Sequence, residues 1–421
     1  MGHHARMTRA IKVRHLLAAL VTALVLAPTA VGADEGTASG VAPPASAPRW
    51  TGTWETAPSG TTPALPGTSI RNVVHTSVGG TALRVRISNR LGTAPLQLDS
   101  VTVALQRPGA PRSPDAVPGS MRTATFAGAT SVSIPAGRER ATDAVRLNVP
   151  ANANLVVSVH TSADSGPATY HRSAFQTNFL ARNGDRTADT DGSAYTTTVS
   201  HWYYVTGVDV LGTTAIGSVV ALGDSLTDGT GSSASANRRW PDRLAARLRA
   251  LPPNRRLGVL NAGISGNRVL LDGVGPSALA RLDADALLRS GVRAVIVLEG
   301  INDIKGTPAQ TDPGAFERAY RTIVSRAHAR GIRVIGATIT PYGGHSSFTG
   351  AGEKARQAVN ALLRTGRVFD GVADFDAAVR DPANPNRIRP AYDPGDHLHF
   401  NDRGMQALAD TIDLATLTEW R

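Results

Sequence analysis

The sequence predicts a two-part fold: an all-β sandwich of jelly-roll type over residues 50–211, then a three-layer α/β/α domain with a parallel sheet over 212–421. Two observations carry this. From Trp50 to Leu211 the chain runs in short alternating apolar and polar stretches, separated by clusters of Gly, Pro, Asn and Asp. From Ile216 onward, apolar runs of strand length alternate with segments of helical period, which is the signature of parallel strands joined by crossover helices.

The elements follow in chain order. Arg6, Arg9, Lys12 and Arg14 precede the apolar stretch from Leu16 to Ala27, and Val31-Gly32-Ala33 offers small residues ahead of Asp34. That pattern reads as a cleaved signal peptide over 1–33, with a core too short for a comfortable membrane span. No Arg-Arg pair in the leader decides between Sec and Tat export. Residues 34–49, rich in Ala, Pro, Ser and Gly, read as a flexible linker. In the β part, Leu83, Val85 and Ile87 alternate with Arg84, Arg86 and Ser88. Leu155, Val157 and Val159 repeat the pattern, and 199–210 reads as one further β-rich run. Trp50, Trp54, Trp202 and Tyr204 are candidates for carbohydrate contact, although aromatic rings in such domains more often fill the core.

In the α/β part, strands are expected over 216–222, 257–261, 294–299, 332–338 and 371–375. Trp240-Pro241 opens a helix with Leu244 and Leu248 on one face. Pro313 opens another over 313–330, with Phe316, Tyr320, Ile323, Val324 and Ala327 as its apolar stripe. A last helix over 401–413 is capped by Asn401 and buries Met405, Leu408 and Ile412.

The whole chain carries +11 and has no cysteine. Residues 1–33 hold four Lys or Arg and no Asp or Glu, which leaves +7 for the remainder. That modest excess suits adhesion to anionic polymers better than nucleic-acid recognition, for which there is no motif, so no nucleic-acid partner is expected. The absence of cysteine excludes disulfides, Cys-ligated zinc and a thiol nucleophile. Abundant Ala, Gly and Arg with little Lys point to a GC-rich bacterial genome. The expectation is a secreted, extracellular bacterial monomer with no transmembrane segment in the mature chain.

Four segments supply the parts of a serine nucleophile site. Gly223-Asp224-Ser225-Leu226 follows an apolar run and raises a hydroxyl at a strand-to-loop corner. Gly263-Ile264-Ser265-Gly266 and Gly300-Ile301-Asn302-Asp303 end the next two runs, and Asp396 precedes His399 by three residues in a late loop. A serine hydroxyl needs an imidazole base and a group that orients it. A tetrahedral oxyanion needs fixed donors, which a glycine N–H and an asparagine amide can provide. The C-terminal edge of a parallel sheet is where open α/β proteins bind ligands. Asp393, Asp396, His397 and His399 could instead form a metal cluster, but Ser225 would then lack a base. His397 is the alternative base; it directly follows Asp396, so His399 is preferred. Asp224, Asp228 and Asp303 read as turn, cap or rim residues, and Glu299 as a group that could tune the site.

In these four blocks the chain resembles the SGNH (GDSL-type) hydrolases over about residues 216–421. The resemblance implies a flavodoxin-like three-layer fold, with Ser225 as nucleophile, His399 as base and Asp396 as its orienter. It further implies an oxyanion hole from the N–H groups of Ser225 and Gly266 and the Asn302 amide, with no cofactor and no metal. The stretch Ile70 to Leu105, with Arg71-Asn72-Val73-Val74-His75-Thr76-Ser77 and Val85-Arg86-Ile87-Ser88-Asn89, resembles the N-terminal jelly roll of a group of secreted bacterial GDSL esterases. That implies an ester substrate, either small acyl esters or acetylated polysaccharide. A lipase or phospholipase-type acylhydrolase, an acyltransferase using the same triad, and a non-catalytic glycan-binding protein are the alternatives.

Overall fold

The computed structural model describes residues 49–182, 184–365 and 367–419. The expected signal peptide and all but the last residue of the expected linker lie outside the described residues.

From Thr51 to Leu211 the described chain is all β. One antiparallel sheet runs Thr51–Glu55, Val205–Leu211, Gly80–Asn89 and Val145–Val149, with Arg138–Ala141 also paired to Gly80–Asn89. A second runs Thr197–Val199, Asn178–Ala181, Thr68–His75, Asn154–Thr161, Ser100–Leu105 and Arg122–Thr123. Leu83, Val85 and Ile87 from the first share one apolar cluster with Ile70, Val101, Leu155, Val157 and Val159 from the second. The alternation read in the sequence therefore points these residues inward.

The opposite face of the second sheet is buried too. Val73, Ala104, Val156 and Phe179 pack there with Tyr195. Among them Arg71 is fully buried and donates to Ser158 Oγ at 2.9 Å, to Pro114 O at 2.8 Å and to Asp189 O at 2.7 Å, with Tyr195 stacked beneath it. Loops cover this face, so strand residues expected outside lie inside.

One expectation is corrected. The run 199–210 is three pieces in three sheets. Thr197–Val199 pairs with Asn178–Ala181, Trp202–Tyr203 with Ala168–His171, and Val205–Leu211 with Gly80–Asn89. Tyr204, at φ +61°, makes one of the corners, in a backbone region that bulky residues rarely adopt. The aromatic candidates for sugar contact are mostly core: Trp54, Trp202 and Tyr204 are buried. Trp54 and Trp202 meet edge to face at 5.1 Å, and Trp202 Nε1 donates to Val73 O. Trp50 alone is half-buried, beneath the Arg84 guanidinium.

The second part is a parallel sheet of five strands: β1 (Ser218–Gly223), β2 (Gly258–Gly263), β3 (Val292–Leu298), β4 (Arg333–Ala337) and β5 (Gly371–Ala373). Their order is β2-β1-β3-β4-β5, the flavodoxin-like arrangement, all in parallel register. On β1, Val220 and Leu222 face one apolar cluster while Val219 and Ala221 face another. Burial on both faces explains why the strands read as unbroken apolar runs. Helices Pro313–His328 and Gly350–Thr365 cover the first face, and Trp240–Arg249 and Asp402–Thr411 the second. The predicted three layers are present, with strand ends displaced by at most two residues. Helix Gly350–Thr365 was not among the expected elements, although Ala355, Val359 and Leu363 repeat at helical spacing and are buried.

The two parts touch backbone to backbone. Gly52 N donates to Ser290 O at 2.9 Å, and Ser77 Oγ accepts from Val259 N at 2.9 Å. At Gly258 a Cβ would lie 2.1 Å from Gly52 O, so only glycine permits this approach. Arg289 enters the all-β part and meets Glu55 at 2.6 Å and Glu139 at 2.8 Å. Burial pushes the Glu55 carboxyl up to about 8 despite that arginine.

Candidate active site

Strand β1 delivers the chain to Asp224, whose carboxylate caps a one-turn helix, Ser225–Asp228, by accepting from Leu226 N at 2.9 Å. The corner predicted from sequence is thus the start of a helix, with Ser225 in its first position. N–H groups of a first turn have no partner within the helix. Among the described residues, the Ser225 and Gly266 N–H groups meet no protein acceptor. Ser225 and Asn302 follow β1 and β3, the strands between which the order of the sheet reverses, where such folds bind ligands.

The late loop brings its histidine to this corner. His399 Nε2 lies 2.9 Å from Ser225 Oγ, and His399 Nδ1 lies 2.6 Å from Asp396 Oδ2. The other oxygen, Asp396 Oδ1, accepts from Leu398 N at 3.0 Å and His399 N at 2.9 Å. Part burial would raise the Asp396 carboxyl, but the His399 and Leu398 N–H groups and the His399 ring outweigh it and hold the pKa below the ordinary carboxylate range. An ionised Asp396 places the proton of a neutral His399 on Nδ1 and leaves Nε2 as an acceptor toward Ser225. The four residues Asp393, Asp396, His397 and His399 form two separate pairs, since His397 Nδ1 turns to Asp393 Oδ2 at 2.5 Å.

Asn302 and Gly266 follow β3 and β2, the two strands that flank β1. Asn302 Nδ2 donates to Asn267 O at 2.9 Å, which fixes the amide orientation, and more weakly to Asp224 Oδ2 at 3.3 Å. Gly266, at φ +87°, turns the loop after β2, and a Cβ there would lie 3.1 Å from Val274.

The remaining acids serve the backbone. Asp303 accepts from Val269 N at 2.8 Å and Leu270 N at 3.0 Å, holding the loop beyond Gly266. Asp228 accepts from Ser265 N and Ser265 Oγ. Burial pushes Asp224 up to about 7 and raises Glu299 well above its ordinary range.

Sequence reading missed two basic residues. Arg281, fully buried, donates to Ala262 O at 2.6 Å, Gly223 O at 2.9 Å and Asn267 Oδ1 at 3.0 Å, tying the ends of β1 and β2 together, with Glu299 3.4 Å away. His171 reaches Asp228 from the all-β part. Each lies in an unremarkable segment, and the partner that gives it meaning, Asp228 for His171 and Gly223 for Arg281, lies 57 and 58 residues away in the chain.

Residues 221–407 match the family model of the GDSL-like lipase/acylhydrolase family. No curated protein matches the chain. Among solved structures, the chain is similar to the native aryl esterase of M. smegmatis, at 19% identity over 46% of this chain and 94% of that one, with a TM-score of 0.37. It is also similar to Est24, a carbohydrate acetylesterase from Sinorhizobium meliloti, at 20% identity over 46% and 94%, TM-score 0.35. A third is LAE5, an alpha/beta hydrolase enzyme from the metagenome of Lake Arreo, Spain, at 25% identity over 48% and 96%, TM-score 0.37. The matched family segment starts within β1, ends within the helix that follows His399, and takes in all four motif blocks. Residues 221–407 therefore form a GDSL-like lipase/acylhydrolase domain, and the chain is a carboxylic ester hydrolase.

Proposed function

We propose that the protein is a secreted serine esterase acting on short acyl or acetyl esters, with Ser225 as nucleophile, His399 as general base and Asp396 as the residue that orients His399. The continuous line from Asp396 through His399 to Ser225, at 2.6 and 2.9 Å, is the observation that supports this reading. Ser225 Oγ attacks the ester carbonyl carbon and its proton passes to His399 Nε2. The resulting oxyanion is met by the N–H groups of Ser225 and Gly266 and by Asn302 Nδ2, which exchanges its longer bond to Asp224 for the substrate oxygen. Collapse expels the alcohol, which takes the proton from His399. Water then attacks the acyl-enzyme by the same route.

Hydrolysis is favoured over acyl transfer because the outer end of the triad is open to water: the Asp396 side chain is 46% exposed, while His399 and Ser225 are turned in. A transferase must keep water from the acyl-enzyme. Secretion rests on the leader pattern of residues 1–33, and among the described residues no helix is long and apolar enough to cross a membrane.

Turnover of p-nitrophenyl esters of increasing chain length, set beside acetate release from acetylated xylan, tests the substrate class. Acetyl and other short esters should give the highest kcat/KM. Ser225→Ala should lose about a thousandfold or more in kcat while remaining folded. A variant that keeps more than about a tenth of the turnover would remove Ser225 from the mechanism.

A further inference from the structure

We propose that His171, carried by the all-β part, is a positioning residue for ester hydrolysis: as a doubly protonated imidazolium it fixes Asp228, and through Asp228 the Ser265–Gly266 turn that presents an oxyanion N–H. The proposal rests on the reading of Gly266 as an oxyanion donor.

The link is continuous. His171 Nδ1 lies 2.7 Å from Ala57 O. His171 Nε2 lies 3.0 Å from Asp228 Oδ1 and 3.3 Å from Ser173 O. Asp228 Oδ2 accepts from Ser265 N at 2.8 Å and from Ser265 Oγ at 2.6 Å. The residue after Ser265 is Gly266.

Both ring nitrogens of His171 face oxygen acceptors only. A neutral imidazole has one N–H and one lone pair, so it would set that lone pair against a carbonyl or a carboxylate. The imidazolium satisfies both sides. His171 and Asp228 are both buried, and a buried charge pair is sustained only when close and hydrogen-bonded on all sides. Burial alone would lower the His171 pKa, but the Asp228 carboxylate and the two carbonyls outweigh it and the value lies above that of free imidazole. Asp228 also closes the helix that begins at Ser225. One carboxylate therefore ties the nucleophile's helix to the oxyanion turn, and its counter-charge comes from a separate sheet.

A purely structural clamp would affect stability, whereas a positioning residue affects the transition state. The experiment compares full-length wild type, His171→Gln and Asp228→Asn, each checked for folding by near-UV circular dichroism. Kinetics are read on p-nitrophenyl acetate, together with the Ki of a trifluoromethyl ketone, whose hemiketal oxygen occupies the oxyanion site. In folded variants kcat should fall about ten- to a hundredfold, KM should stay within about twofold, and Ki should rise in step with the loss in kcat/KM. The double variant should be no worse than the more damaged single one, since both residues act through one link. Asp228→Asn leaves the all-β part untouched and reads the link should His171→Gln not fold. Folded variants with kcat, KM and Ki all within about twofold of wild type, or with a change in KM alone, would overturn the proposal. Ser225→Ala separates the two failures: if it stays active the serine mechanism itself fails, and if it is dead beside unaffected His171 and Asp228 variants only the positioning role fails.

Discussion

Within seven residues the late loop holds two Asp–His pairs of nearly equal length, Asp393–His397 at 2.5 Å and Asp396–His399 at 2.6 Å. In both, the carboxylate also accepts two backbone N–H groups of its own turn. Their exposures are reversed. Asp393 is turned in at 9% while His397 stands out at 44%, whereas Asp396 stands out at 46% and His399 is turned in at 15%. The positive φ of His397 supports this divergence of neighbouring rings. What distinguishes the pairs is which member faces inward, and only His399 meets a hydroxyl.

The contrast can be broken in order of expected effect. His399→Ala should cost about four orders of magnitude in kcat on p-nitrophenyl acetate, because the proposed base is lost outright. Asp396→Asn should keep the loop folded yet cost about two to four orders, since an amide no longer selects the ring tautomer that leaves Nε2 free. Comparable activity in His399→Ala and wild type would move the base elsewhere.

A third acid, Asp224, lies beside Ser225 without any histidine and gives a pH test of a different kind. Burial raises its pKa to about 7, against about 3.9 for an unfolded aspartate. Between these values the unfolded chain has released the proton and the native chain still holds it. This group's contribution to stability therefore falls as pH rises from about 4 to 7. Asp224→Asn can still cap the helix and does not titrate, so its Tm relative to wild type should climb across that window. A Tm difference independent of pH would show that Asp224 is ionised in the native state. The smallest effect is expected from His397→Asn, which tolerates the positive φ and should hold kcat within about threefold. A hundredfold loss there would reverse the assignment of the two pairs.

Much of this was legible in the sequence because three of the four parts of the site follow an apolar strand, and strands buried on both faces are easily read. The five parallel strands and the helices opened by Trp240, Pro313 and Asn401 fall where expected for that reason. The all-β part was harder. The run at 199–210 has uniform β character, but its pieces join three sheets, and the pairing depends on partners far along the chain. His171 and Arg281 were illegible for a related reason. Neither lies in a pattern, and each acquires meaning only when Asp228 or the ends of β1 and β2 are brought to it by folding.

The position of β2 has a consequence for solubility. It is the outermost strand of the parallel sheet on its side, and its residues Val259 and Leu260 are buried. The strand Thr51–Glu55 and Ser77 lie against it, with Ser77 Oγ taking the Val259 N–H. Cut away from the all-β part, the hydrolase segment would present an apolar strand edge with free N–H and C=O groups, the kind of surface that templates pairing between chains. In this protein the all-β part covers that edge, and a shortened chain beginning near residue 212 is expected to aggregate even where Ser225, His399 and Asp396 keep their arrangement.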